Sequence, residues 1–328
     1  MTINQPLIRD VDYEFYDREL STFIPDQIYD AHTHLFDAAH FKPEGADFPA
    51  SVGLDEYREL IDVLHPGRDV SALFIPIPGP REMADAANQW IAEQQARDDR
   101  SRGLFYFHAK DDPEWIREEV KRLNLHGLKC YHVTSSRRPT WESAIPEYLP
   151  EEVVRIANEE GWVITLHMVK SRAVADAENY ELIRDWCQRY PNMKLILAHS
   201  ARGFQPAHNW EGLHHLKGLP NLYFDSSANC EALAHIAVLK ILGHENFMYG
   251  SDFHVSHLRG RSLAVADTFL WLYEQTPVWE ERHQSIEPVL VGLEHLRSLK
   301  WTALSLGLSD SQVEDIFFRN AQRLLGVE

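Results

Sequence analysis

The chain is expected to fold as an α/β protein, a (β/α)8 TIM barrel, and three observations predict it. Short β-rich apolar runs alternate with longer stretches of helical periodicity, which implies a parallel sheet. There are eight such runs, the number that closes a barrel. No Gly-rich dinucleotide turn follows the first run, which sets the open doubly wound sheet behind the barrel.

In chain order the runs are "DQIYDAHTH", "VSALFIPI", "GLFYFHA", "HGLKCYH", "WVITLH", "MKLILAHS", "NLYFDSS" and "NFMYGSD". After the first, "LDEYRELIDVL" reads as a helix, because Leu54, Tyr57, Leu60, Ile61 and Leu64 recur at helical spacing. After the second comes a helix in "PREMADAANQWIAEQQAR". After the third comes "DPEWIREEVKRLN", where Asp112 before Pro113 makes a helix start. "PEEVVRIANEE" is a helix that stops at Gly161, and "AENYELIRDWCQRY" follows the fifth run. "SLAVADTFLWLYE" closes the series. The tail from about Ser285 to Leu325 reads as helical, with Ser309 and Asp310 as N-cap candidates. Residues 1 to about 25 read as an extension wrapping the barrel, and 26–328 as one domain.

Composition narrows the function. A net charge of −18 repels phosphate backbones, and no basic stretch interrupts it, so nucleic acid is excluded as a partner. No apolar run approaches a membrane span, and the polar, acidic N-terminus is no secretory signal, so a cytoplasmic setting is expected. Cys130, Cys187 and Cys230 are too widely spaced for a disulfide framework or a metal knuckle. They fit a reduced compartment, and any metal must be held by histidine and carboxylate.

The chemistry of such barrels sits at the C-terminal ends of the strands. Side chains at i and i+2 of a strand share a face, so His32 and His34 project together. His167 ends the fifth run, His199 the sixth and Asp252 the eighth. The fourth carries Lys129, and the seventh ends with Asp225, Ser226 and Ser227. One histidine after an apolar strand is usually structural. Four, with an aspartate, all at strand ends, point to a centre for zinc, iron or manganese. A metal held this way activates a water, and a histidine left over serves as general acid or base.

The ordered set of H-x-H, His167, His199 and Asp252, with "DAHTHLF", "LAHS", "YGSDF" and "VEDIFFRNAQRLLG", resembles the amidohydrolase superfamily. It looks most like the amidohydrolase-2 branch, which includes aminocarboxymuconate-semialdehyde decarboxylase-like enzymes, aromatic-acid decarboxylases and lactone or C–C hydrolases. The resemblance implies that His32, His34, His167 and Asp252 hold one divalent metal, most often zinc, with manganese or iron as alternatives. It implies His199 as acid/base, with Asp252 also taking the water proton. Asp30 is open between a second-layer partner of a histidine and a structural residue.

Lys129 is open between substrate binding, pairing with a carboxylate, and the carbamylated bridge of binuclear members; the branch favours one metal. Arg202 suits a substrate carboxylate, while Arg259 and Arg261 divide evenly between substrate and surface ion pairs. Trp141, in the long loop after the fourth run, is open between packing on a flat substrate and a structural role. His108, His132, His208, His214 and His215 read as structural or surface residues. The expected activity is metal-dependent hydrolysis of a small carboxylated molecule, and the alternative is non-oxidative decarboxylation at the same centre. A metal-free lactonase and a non-catalytic scaffold are the remaining readings. The expected partner is a small-molecule substrate; related proteins are often dimers or larger, so a homo-oligomer stays open.

Overall fold

The computed structural model describes residues 7–41, 48–276 and 287–327. Eight parallel strands form the barrel: β1 (Ile28–Asp37), β2 (Val70–Pro76), β3 (in two pieces, Arg102–Gly103 and Phe105–Tyr106), β4 (Gly127–Cys130), β5 (Val163–Leu166), β6 (Lys194–Leu197), β7 (Leu222–Asp225) and β8 (Phe247–Met248). β1 pairs with β2, β2 with the first piece of β3, and the second piece with β4; the order then runs in sequence to β8. Leu104 donates to Phe74 and His126 to Gly103, which carries the ladder across the break in β3. The ring closes where the segment after β8 lies along β1: Ala31 N donates to Tyr249 O (2.9 Å), Asp252 N to His32 O (2.7 Å) and His34 N to Phe253 O (2.8 Å).

The helices expected from periodicity are present. They are Leu54–Ile61, Arg81–Gln95, Pro113–Arg122, Glu151–Glu160 and Ala177–Arg189. Asp112 caps its helix by accepting from Trp115 N, and Gly161 takes the left-handed conformation that ends the next. Two further helices, Pro206–Gly212 and Ala232–Leu242, fill the connections after β6 and β7. The second is almost uniformly apolar, so it has no contrasting polar face for periodicity to reveal.

One closing segment differs from a βα unit. Residues of "SLAVADTFLWLYE" form an antiparallel hairpin, β9 (Gly260–Val265) and β10 (Thr268–Tyr273). Its β-branched and aromatic residues alternate with period two, and Phe269, Trp271 and Tyr273 share one face. In the tail, Val291–Leu306 is a helix and Ser309 caps the next, as expected; Ser285 lies outside the described residues. Asn320 donates to His244 O and Phe247 O, and Tyr249 donates to Ile316 O, so the tail is bonded to β8. At the other end of the chain the helix Asp10–Glu19 presents buried Asp12 to Arg259.

A β-bulge interrupts β1 between Asp30 and Thr33. The extra residue breaks the alternation, so Asp30 and His32 part company. Asp30 accepts from Tyr57 OH (2.7 Å), Ser251 N (2.7 Å), Ser251 Oγ (2.5 Å) and His32 N (3.1 Å). Its role is therefore to bind β1 to the segment after β8. Burial lifts its carboxyl to about 6 against those donors. Asp30→Ala leaves four buried donors without an acceptor and is expected to lower stability by roughly 3 kcal/mol or more, read from urea denaturation midpoints.

Candidate metal centre

His32 and His34 lie on β1, and Asp252 follows β8, directly across the closing seam. One ligand atom from each falls within 4.8 Å of the others, and all three residues are buried. Asp252 Oδ1 is 3.2 Å from His34 Nε2 and 3.7 Å from His32 Nε2. Gly250 allows this approach: a Cβ there would lie 2.7 Å from His32 Cβ.

The hydrogen bonds on the far side of each ring fix its tautomer. His32 Nδ1 faces Asp225 Oδ2 at 2.9 Å, and His34 Nδ1 faces the carbonyl of Ile75 at 3.3 Å. Both acceptors require a proton on Nδ1, which leaves Nε2 bare. Burial pushes His32 down to about 4 and lowers His34, so both rings are neutral near pH 7. Burial opposes ionisation of Asp252, but the His34 contact and the neighbouring imidazoles hold its carboxyl well below the usual range. Two imidazole Nε2 atoms and a carboxylate oxygen thus converge on one point, with the Lys129 ammonium 3.1 Å from His32 Nε2. Such a nitrogen and carboxylate donor set suits a divalent cation.

His199 and His167 form a second pair. His199 Nδ1 donates to Ser227 O (3.0 Å), and its Nε2 accepts from His167 Nδ1 (3.1 Å), which leaves His167 Nε2 bare. His199 Nδ1 is 3.8 Å from Asp252 Oδ2. Ring centroids run His32 to His199 at 5.2 Å and His199 to His167 at 4.9 Å. The structure therefore gathers His32, His34 and Asp252, and places His167 one ring further out, behind His199. His132 lies beyond it, 5.6 Å from the His167 ring, nearer the centre than a surface histidine would be.

His199 owes its position to an unusual backbone. His199, Ser200, Ala201 and Arg202 all have φ between 53° and 58°, a turn of left-handed helix without glycine. Such a conformation costs roughly 1–2 kcal/mol per residue. Buried side chains hold it: Asp225 Oδ1 accepts from His199 N (3.0 Å), Asn229 donates to His199 O (3.2 Å) and Asn209 to Ser200 O (2.7 Å). Ser200 Oγ also meets His235 Nδ1 at 2.8 Å.

Asp225 is the residue that sequence reasoning left without a role. Its two oxygens orient His32 and the His199 backbone at once, and it also accepts from Ser227 N. Burial would raise its carboxyl, but the pairing with His32 and its other hydrogen bonds hold it below the ordinary value. The available signal was its place at the end of the seventh run, the same rule that selected the other residues.

Lys129 is fully buried, with Nζ 3.1 Å from His32 Nε2; burial lowers it to about 8. Arg202 donates to Lys170 O at 2.7 Å and lies 5.6 Å from the Phe269 ring centre. Arg259 pairs with Asp12 at 2.7 Å and Arg261 with Glu294 at 3.5 Å, so both serve structural ion pairs. Trp141 is 57% exposed and contributes no ring to the centre.

The chain belongs to the amidohydrolase family, whose model matches residues 29–327. Among curated proteins, none matches it. An amidohydrolase from Burkholderia multivorans superposes with TM-score 0.62 at 15% identity, over 92% of this chain and all of that one. The same protein in another crystal form, with bound zinc, gives 0.60 at 14% identity, over 92% of this chain and all of that one. The 5-carboxyvanillate decarboxylase from Sphingomonas paucimobilis gives 0.55 at 15% identity, over 93% of this chain and all of that one. At these identities the likeness establishes the fold.

Asp225→Asn removes the charge and one of the two acceptor oxygens that serve His32 and the His199 backbone. It is expected to weaken metal affinity about 10–100-fold, measured by competition with a chromogenic chelator.

Proposed function

We propose that this protein is a metal-dependent hydrolase acting on a small carboxylated molecule through activated water. The observation that carries this reading is the convergence of His32 Nε2, His34 Nε2 and Asp252 Oδ1 beside the barrel's closing seam. His32, His34 and Asp252 would hold the cation, and His167, expected from the sequence as a fourth ligand, instead lies behind His199 and supports that ring. A divalent cation, zinc first and manganese or iron as alternatives, supplies a water of lowered pKa and polarises a substrate oxygen. Asp252 takes the proton of the attacking water on Oδ2. That proton passes to the leaving group by way of His199, whose Nδ1 lies 3.8 Å from Asp252 Oδ2 and which gives up only the proton it has received.

Arg202 supports a carboxylated substrate. Among the described residues it has no carboxylate partner, and its guanidinium donates to the Lys170 carbonyl. Burial lowers its pKa, which raises the value of an anion brought to it. Lys129 adds positive potential beside His32 Nε2, on the side of the centre, and offsets Asp225 and Asp252.

A second reading is non-oxidative decarboxylation, with His199 protonating the carbon that loses carbon dioxide. Phe204, 5.4 Å from the His199 ring, gives that side an apolar wall. Among proteins of this fold, one from Pseudomonas putida is described as a 2-pyrone-4,6-dicarboxylic acid hydrolase, and the Sphingomonas protein is a decarboxylase.

Carbon dioxide release from a panel of aromatic and unsaturated carboxylic acids separates the two: hydrolysis predicts turnover of lactones or esters without it. In either case His199→Gln is expected to lower kcat by about 10²–10⁴ with metal content unchanged. Retention of full activity in that variant would remove His199 from the reaction.

A further inference from the structure

The hairpin of β9 and β10 stands where the barrel alternation would place a helix, and a two-stranded hairpin has little stability alone. Its order must come from what it touches. At its base, Ser262 Oγ accepts from Cys230 N (3.1 Å), and Ala264 N donates to Glu231 (3.0 Å). On its inner face Trp271 packs with the buried cluster of Ala228, Cys230 and Val291. At its tip, Asp267 meets His208 (3.0 Å) and Arg172 (2.6 Å), while Gln205 donates to Ala266 O (2.7 Å) and Thr268 O (3.2 Å). The tip pair is exposed, so it is a weak tether, and the apolar face supplies the stronger one.

That apolar face leads to the centre. Phe269 stacks on Phe204 with centroids 4.7 Å apart and rings 25° from parallel. Phe204 in turn lies against the His199 ring, and Arg202 sits over Phe269. The hairpin thus brings an aromatic surface beside the one guanidinium that the proposed function assigns to a substrate anion.

We propose that this hairpin is the lid of the site and that Phe269 is a specificity residue, which selects carboxylates carried on a flat, conjugated ring. Arg202 takes the carboxylate, and the ring of the ligand lies against Phe269. The apolar face holds the lid down, and Asp267 adds a weak tether at its tip. This rests on the carboxylate reading of the site.

The test compares isophthalate with glutarate, a ring and a flexible-chain dicarboxylate, on the metal-loaded protein by calorimetry and hydrogen exchange. Isophthalate is expected to bind about tenfold tighter and to slow exchange across 260–273, which glutarate does not do. Phe269→Ala is expected to remove the preference and leave glutarate binding unchanged. Asp267→Ala, a surface change, is expected to speed hairpin exchange in the free protein without altering the barrel strands. A retained preference in Phe269→Ala, or hairpin exchange that neither isophthalate nor Asp267→Ala changes, would overturn the lid. If Arg202→Ala still abolishes binding of both acids in that case, the carboxylate reading stands. Failure of both acids to bind wild type at millimolar concentration would overturn both.

Discussion

The hydrogen bond from Asp252 N to His32 O, 2.7 Å long, joins the last strand segment to the first. It closes the barrel and it sets the candidate metal ligands side by side. Residues 220 positions apart in sequence meet only if the eighth strand returns to the first, so fold and site are one constraint. Asp30 and the bulge in β1 reinforce it. The bulge turns His32 and His34 toward Asp252, and Asp30 takes up the donors of Tyr57 and Ser251 on the other side. Gly250 completes the seam, since any side chain there would meet His32.

A second theme is the compensation of buried charge. Asp225, Asp252 and Lys129 are all within the protein interior, and none is tolerable alone. Asp225 distributes its charge over the His32 ring and backbone donors, and Lys129 faces the same ring from the other nitrogen. The left-handed turn from His199 to Arg202 draws on the same network. Its strain is offset by Asp225, Asn229 and Asn209, residues with no catalytic part of their own. One consequence is that His199 and Arg202, the acid/base and the anion receptor of the proposed function, are oriented by a single piece of backbone.

Much of this was legible in the sequence because it obeys period and position. Eight apolar runs, their intervening helices, the Asp112 and Ser309 caps and the Gly161 stop all follow local rules, and the fold follows from them. His32, His34 and Asp252 were legible as strand-end residues. The hairpin was harder to read, because it stands where the alternation calls for a helix and its two strands are short and mostly apolar, and short apolar runs do not separate strand from helix. Asp30 stayed open between two roles, and the structure gives it the structural one, since the bulge that cancels strict alternation leaves no sequence mark. The placing of His167 behind His199, and the work of Asp225, depend on ring orientations and long-range hydrogen bonds that spacing alone does not carry.

The central claim is that the facing donors of His32, His34 and Asp252 exist to hold a divalent cation. Metal content by plasma mass spectrometry, on wild type and on His32→Ala, tests it most directly. The account predicts about one zinc, manganese or iron per chain in wild type and its loss in the variant. Absence of metal from both proteins, even after reconstitution with each of the three ions, would contradict it.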